Sequence, residues 1–141
     1  MIEPRDNEYQ AYFTVSGDFD PASITAEIGI EPTRSWKKGD RNEKTHLERK
    51  FSRWSLDSRL DKSASLEEQI ADVLEQLKPK VEEVRRVSKA HGNGCMQLVG
   101  WFYQSYPGIH FEKDLIAKLS NFELSVDFDF YYMYSDARED S

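Results

Sequence analysis

The alternation of apolar and polar residues is strongest near the carboxyl-terminal end of the chain, between Glu123 and Tyr134. Every even position in this stretch is apolar or aromatic, namely Leu124, Val126, Phe128, Phe130, Tyr132 and Tyr134. A period of two places these side chains on one face of a β-strand. We therefore predict a long strand that has neighbouring strands on both edges and helices over its apolar face.

Four further strands are predicted from shorter alternating segments, at 9–16, 33–37, 50–57 and 95–103. The last of these carries apolar residues on both faces. Apolar residues on both faces are typical of strands that are buried on both sides. We therefore expect 95–103 to be a central strand, or to offer one of its faces to a partner.

The longest helix is predicted after a capping box formed by Ser65 and Glu68. Apolar residues then recur at helical spacing through 66–84. Pro79 interrupts this stripe, and the residue before a proline resists the helical conformation. We expect the helix to break or kink near Lys78. Two shorter helices are predicted at 21–28 and 115–121.

These elements predict a single α+β domain over residues 9–135, with a flexible N-terminus at 1–8 and an acidic tail at 136–141. The expected order is β-α-β-β-α(α)-β-α-β, with helices packed on one face of a mostly antiparallel sheet of four to five strands. One candidate arrangement is ferredoxin-like. The other is a pair of related β-α-β halves, because Gly17 and Gly108 each lie seven residues before an apolar residue of a short helix.

The composition limits the classes of partner. The chain has 141 residues and a net charge of −7, which argues against a general binder of nucleic acid or of anionic membranes. Aromatic residues make up 13%, so we expect much of the core to be Phe, Tyr and Trp. No apolar run is long enough to cross a membrane or to form a signal peptide. The single cysteine, Cys95, excludes an internal disulfide, so we expect a cytoplasmic protein.

One segment, from Arg34 to Arg53, has the opposite charge to the rest of the chain. It contains eight basic and three acidic residues, a net charge of +5, so the other 121 residues carry −12. Such a mixture of cations with an aromatic ring suits phosphate or carboxylate ligands, single-stranded nucleic acid or an acidic protein surface. The alternative is a solvated loop with both nearby tryptophans in the core. The candidate partner-binding residues are Trp36, Lys37, Lys38, Arg41, His46, Arg49 and Arg53.

The sequence gives weaker evidence for catalytic or metal-binding residues elsewhere. Asp127 and Asp129 share one face of the long strand, about 7 Å apart, where two carboxylates could act as an acid and a base. Because the alternation already predicts a solvent-facing polar side, we favour that interpretation. The three histidines have no metal-ligand spacing, and Cys95 has no cysteine partner. We interpret Cys95 as a small buried residue rather than a nucleophile. We predict no metal site, no cofactor and no catalytic residues.

Several short motifs, in a particular order and spacing, resemble a known bacterial family. The motifs are Gly17-Asp18-Phe19-Asp20-Pro21, Ile28-Gly29-Ile30-Glu31-Pro32-Thr33, Lys38-Gly39-Asp40, Trp54-Ser55-Leu56 and Leu74-Glu75-Gln76-Leu77-Lys78-Pro79-Lys80. This family is classified only as a domain of unknown function, number 4279, and the likeness covers nearly the whole chain. The resemblance implies an α+β domain with this order of elements. It implies no catalytic residues.

Two functions fit these observations. The first is a small cytosolic protein-binding module without catalysis, for which an immunity-type inhibitor of a toxin is one concrete form. Its partner would be another protein, not a membrane and not nucleic acid, and a homodimer through an exposed strand edge is compatible with it. The alternative is a binder of an anionic small ligand or nucleotide through the basic segment 34–53, with an enzyme as one form of that alternative.

Overall fold

A five-stranded mixed sheet forms one layer of the protein, as seen in a computed structural model that describes residues 5–133. The strands are β1 (Glu8–Gly17), β2 (Arg34–Trp36), β3 (Ser52–Asp57), β4 (Cys95–Phe102) and β5 (Ser125–Tyr132). The helices are α1 (Pro21–Ile28), α2 (Leu66–Leu77), α3 (Val81–His91) and α4 (Lys113–Asn121), with a 3₁₀ turn at Lys78–Lys80. The α+β class and the predicted order of elements are confirmed.

The strands lie in the order β2-β3-β1-β4-β5. Neighbours are antiparallel except β4 and β5, which are parallel. The first four strands therefore have the order and directions of a ferredoxin-like sheet, to which α4 and β5 add one parallel strand. The two predicted halves differ in arrangement: β3 lies between β1 and β2, whereas β4 and β5 are direct neighbours. A duplication stays a prediction.

The helices pack on one face of the sheet, as predicted, and the core lies between the two layers. The strand residues of this core alternate with polar residues, as a half-buried sheet requires. Trp54 is fully buried there, and its indole N–H donates to Thr25 Oγ1 on α1 at 3.0 Å. The fully buried strand residues on the helix-covered face include Ala11, Phe13, Val15, Trp54, Met96, Leu98 and Phe102.

Capping residues end the helices where the sequence predicts. The Asp20 carboxylate accepts from the Ala22 N–H at 3.1 Å, and Gly29 takes the left-handed conformation that glycine tolerates best, with φ of 76°. Ser65 and Glu68 form the predicted capping box. At Pro79 the α-helix is interrupted by the 3₁₀ turn, so the expected break near Lys78 is confirmed.

A buried glutamine compensates for the short length of β3. β1 pairs with β3 only from Tyr12 onward, which leaves the Ala11 N–H and the Tyr9 carbonyl without a backbone partner on that side. Gln69 on α2 fills this gap: its Oε1 accepts from the Ala11 N–H at 3.0 Å, and its Nε2 donates to the Tyr9 carbonyl at 2.7 Å. Its side chain thereby ties the long helix to the centre of the sheet.

The position predicted for the long strand is wrong. We expected neighbours on both edges of β5, but β5 lies at the edge of the sheet and pairs only with β4. β4 pairs with β1 along one edge, and after α4 the chain returns along its other edge as β5. β5 is also shorter than predicted, beginning at Ser125 after Glu123 with φ of 58°, and Tyr134 lies outside the described residues.

The ends of the domain are partly described. β1 begins at Glu8, one residue before its predicted start, and the Asn7 side chain accepts from the Tyr103 N–H at 2.8 Å. Residues 1–4 of the predicted flexible N-terminus and the predicted acidic tail at 136–141 lie outside the described residues. Among the helices of residues 5–133, none has the length and apolar character needed to cross a bilayer.

Candidate functional site

The segment 34–53, here called the basic hairpin, folds as a continuation of the β2–β3 pair rather than as an open loop. Its two arms are held by hydrogen bonds from the Gly39 N–H to the Arg49 carbonyl, 2.9 Å, and from the Arg49 N–H to the Asp40 carbonyl, 2.7 Å. Arg41 and Glu48 form a further bridge. The cationic side chains of this segment therefore belong to a hydrogen-bonded backbone hairpin.

Trp36 is the centre of the basic hairpin. Its indole N–H donates to the Phe51 carbonyl at 3.1 Å, which anchors the ring across the two arms. The Arg49 guanidinium lies 3.8 Å from the ring centroid, and the Arg53 guanidinium lies 5.5 Å from it. Both distances are within the range of cation–π attraction. Of the predicted residues, the structure thus brings Trp36, Arg49 and Arg53 together.

The remaining predicted residues lie apart from this cluster. Arg41 donates to the His46 carbonyl at 3.0 Å, so these two residues close the far turn of the hairpin, where His46 has φ of 60°. Lys38 points toward Asp18, with 3.5 Å between Nζ and Oδ2. The Lys37 N–H donates to Asp40 at 2.8 Å, and its residue is exposed.

The arginines of the protein fall into two groups by their partners. Within residues 5–133, the five arginines at positions 5, 34, 59, 85 and 86 each have a carboxylate within 3.2 Å. The other three are Arg41, Arg49 and Arg53, which bind a carbonyl, an aromatic ring and a hydroxyl instead. All three belong to the basic hairpin. Within this hairpin Arg34 pairs with Asp57 and Lys38 lies near Asp18, whereas Arg41, Arg49 and Arg53 have no carboxylate partner among the described residues.

The face of the sheet opposite the helices is the second feature of the site, here called the open face. No helix of the described residues covers it. The strand registers align one row of small polar side chains across four strands, Ser55, Thr14, Cys95 and Ser125. Within that row Thr14 and Ser55 share a hydrogen bond of 3.0 Å between their hydroxyl groups.

A shallow cavity of about 480 Å³ lies on the open face, beside the basic hairpin. Arg53 lines one side, where its Nε donates to Ser16 Oγ at 3.1 Å, and Asp127 lines the other. β3 and β5 are three strand spacings apart, about 14 Å, so these two charges are too distant to pair. Burial raises the pKa of the Cys95 thiol, and the adjacent Asp127 raises it further. Cys95 therefore lines this cavity with an uncharged thiol.

The two aspartates of β5 lie on the open face and are exposed, in agreement with the interpretation that the alternation favours. Asp129 accepts a hydrogen bond from the Tyr131 hydroxyl at 2.8 Å, and this hydrogen bond raises the pKa of Tyr131. No cation of the described residues lies within ion-pairing distance of Asp127 or Asp129. β5 therefore presents uncompensated negative charge, at the opposite edge of the sheet from the basic hairpin.

Comparison with known proteins supports the resemblance noted from the motifs. A family model described as a domain of unknown function, DUF4279, matches residues 7–133. The chain belongs to this family. No curated protein and no solved structure shows significant similarity to the chain.

Sequence reasoning missed part of the site in this DUF4279 chain. The row formed by Thr14, Ser55, Cys95 and Ser125 was not predicted, although Thr14, Ser55 and Ser125 each occupy a polar position of an alternating segment. Their alignment depends on the strand register, which no single segment encodes. Likewise, the sequence shows that Arg53 is basic but not that it reaches the cavity on the open face.

The histidines of the DUF4279 domain lie in separate places. His91 packs against the Phe19 ring with 4.7 Å between centroids, and His110 lies 3.2 Å from Glu112. Within residues 5–133 no group of three or more His, Cys, Asp or Glu side chains is close enough together to hold a metal ion.

Proposed function

We propose that this DUF4279 chain is a non-catalytic protein-binding module whose basic hairpin binds an acidic surface of a partner protein. The observation that carries the proposal is that one hairpin holds Arg41, Arg49 and Arg53, whose guanidinium groups have no carboxylate of their own among the described residues. An acidic partner would supply those carboxylates.

The arrangement around Trp36 supports a protein partner. Tryptophan and arginine are the residues that most often dominate binding energy at protein interfaces. Arg49 and Trp36 already stack at 3.8 Å, so less side-chain entropy is lost when a partner binds. A positive patch on a protein of net charge −7 also directs an acidic surface to one place, because the rest of the surface repels it. An immunity-type inhibitor of a toxin is one form of this proposal.

The experiment is affinity purification from the native host with the wild-type chain and two double variants. Arg41→Glu/Arg49→Glu reverses two charges of the hairpin, and Lys89→Glu/Lys113→Glu reverses two exposed charges elsewhere as a matched control. We expect wild type and control to recover the same protein in fixed stoichiometry. The hairpin variant should bind the purified partner at least tenfold more weakly, and the wild-type affinity should fall as salt is added.

Equal binding by both double variants would contradict the proposal, and so would an affinity that does not change with salt. Thermal unfolding of each variant checks that the hairpin substitutions leave the fold intact. Recovery of no partner across growth conditions would count against a binding module of any kind.

The second candidate is an anionic small ligand that stacks on Trp36. One observation favours it: two shallow cavities, of about 450 and 570 Å³, both border Trp36 and Arg49. Isothermal titration with pyrophosphate and with citrate tests it, with Arg49→Met as the variant and Arg86→Met as the control. Binding that Arg49→Met abolishes and Arg86→Met retains would support the small ligand. No heat with either anion would remove it.

A further inference from the structure

The two edge strands of the sheet differ in length, and so in the number of residues that a further strand could pair with. β2 forms one edge and has three residues, whereas β5 forms the other and has eight. β5 pairs with β4 in an unbroken register from Cys95↔Ser125 to Phe102↔Tyr132, so it contains no bulge. It also contains no proline or lysine, two of the residues that commonly protect an edge strand, and its only charged residues are Asp127 and Asp129. β5 is therefore a long edge that is open to a further strand.

The backbone of β5 shows which residues would pair with such a strand. At the two ends of the ladder, the Ser125 N–H donates to the Gly94 carbonyl at 3.2 Å and the Met133 N–H donates to the Phe102 carbonyl at 2.8 Å. Odd residues thus face β4, because orientation alternates along a strand. The N–H and C=O groups of Val126, Phe128 and Phe130 consequently point away from the sheet.

The side chains that flank this edge differ on its two sides. On the helix-covered side, Phe128 is 54% exposed. On the open face, Asp127 and Asp129 are exposed and, among the described residues, have no cation within ion-pairing distance. A strand added to β5 would therefore meet apolar groups with one set of alternate residues and carboxylates with the other.

We propose that an extended segment of another protein adds to the free edge of β5 as a sixth strand. The segment carries Lys or Arg at every second position, opposite Asp127 and Asp129, and aliphatic residues between them, against Phe128. The two carboxylates are about 7 Å apart along the strand, which equals the spacing of alternate residues in an extended peptide. Backbone pairing supplies affinity and the alternate side chains supply specificity.

A second copy of the chain is a less favourable occupant of this edge. Symmetric antiparallel pairing of β5 with itself matches residues of the same face. Registers centred on residue 127, 128 or 129 place Asp127 or Asp129 directly opposite an aspartate of the other copy. Like charges directly opposite each other destabilise a strand pair. The negative charge of β5 thus opposes self-pairing and favours a cationic strand.

The inference does not rest on the basic hairpin, which lies at the opposite edge of the sheet. The probe is the peptide acetyl-Lys-Val-Lys-Val-Lys-Val-Lys-amide with a fluorescent label, and its binding to the full chain is followed by anisotropy. We expect saturable binding that weakens at least tenfold for Asp127→Asn/Asp129→Asn. We expect Arg41→Glu/Arg49→Glu to bind the peptide no more weakly than wild type.

A pair of substitutions at one position isolates the backbone contribution. Phe128→Ala keeps the outward N–H, whereas Phe128→Pro removes it without removing any hydrogen bond to β4. We expect Phe128→Pro to bind the peptide at least tenfold more weakly than Phe128→Ala. As a second measurement that needs no variant, the same peptide with alternate backbone nitrogens methylated on its pairing edge should lose binding to wild type.

Several outcomes would overturn the proposal: no binding of the unmethylated peptide, equal binding by Phe128→Pro and Phe128→Ala when both are folded, or equal binding of the methylated peptide. A wild-type dimer that the peptide does not dissociate and that Phe128→Pro abolishes would assign the edge to a second copy instead. Loss of peptide binding in the hairpin variant alone would place the peptide at the other edge of the sheet.

Discussion

Replacing Gln69 with methionine tests how the long helix is tied to the sheet. Methionine has nearly the same length but cannot make polar contacts. The substitution would remove the hydrogen bond to the Ala11 N–H at 3.0 Å and that to the Tyr9 carbonyl at 2.7 Å. It would also remove two longer contacts, to the Ala64 carbonyl at 3.1 Å and the Asp61 carbonyl at 3.3 Å.

The cost follows from how deeply these groups are buried. Ala11 is 0% exposed, so water cannot replace the lost acceptor, and an unsatisfied buried donor costs about 1–3 kcal/mol. The half-buried Tyr9 carbonyl adds about 1 kcal/mol. Burying the apolar thioether in place of the polar amide stabilises the folded state by on the order of 1 kcal/mol. We therefore expect a loss of about 1–3 kcal/mol in the free energy of unfolding.

Thermal and urea unfolding measure this loss. For a domain of this size, a loss of about 1–3 kcal/mol corresponds to a decrease of roughly 3–15 °C in Tm. Gln76→Met on the same helix is the matched control, because Gln76 is only half-buried, and it should cost less than about 1 kcal/mol. A Tm for Gln69→Met within 1 °C of wild type, or an equal loss in the control, would refute the reasoning.

Three further predictions concern other parts of the fold. Burial alone raises the pKa of Asp72, but hydrogen bonds and charge from Arg59 outweigh burial and lower it. The stability that Asp72 contributes is therefore present above about pH 5 and lost as the pH falls below about 4. The difference in unfolding free energy between wild type and Asp72→Asn should shrink as the pH is lowered from about 5 to below about 4. Gly100→Ala should cost about 1–3 kcal/mol in urea unfolding, because its Cβ would lie 2.9 Å from the buried Phe102 ring; no loss would mean that the ring moves freely. Cys95 should react with iodoacetamide at pH 8 at least tenfold more slowly in the folded chain than in urea, because burial raises the pKa of its thiol; equal rates would contradict its placement.

Local signals in the sequence predicted the elements well. The capping box at Ser65 and Glu68, the N-cap at Asp20 and the break at Pro79 are confirmed because each depends on residues a few positions apart. The same holds for the alternation in the strands, since side-chain direction follows from chain geometry alone. The family resemblance, carried by short motifs in order, is also confirmed.

The candidate site was predicted only in part. The charge of the segment 34–53 is a property of composition and needed no structure. Which cations act together did require it: Arg49 and Arg53 meet at Trp36, whereas Lys38 faces Asp18 and Arg41 closes a turn. The partners of a long side chain depend on what the fold brings within reach, so the charge pattern alone could not separate them.

The sequence by itself determined the order of elements, the helix starts at Asp20 and Ser65, the helix break at Pro79, the alternation of the strands and the separation of positive from negative charge. The tertiary structure decided which strands are neighbours, and with this it placed β5 at an edge rather than in the centre. It also decided which polar residues align across the open face. The physical reason is that helix caps and alternation are set by residues within one or two turns, whereas neighbours and register depend on pairing between segments that are distant in the chain.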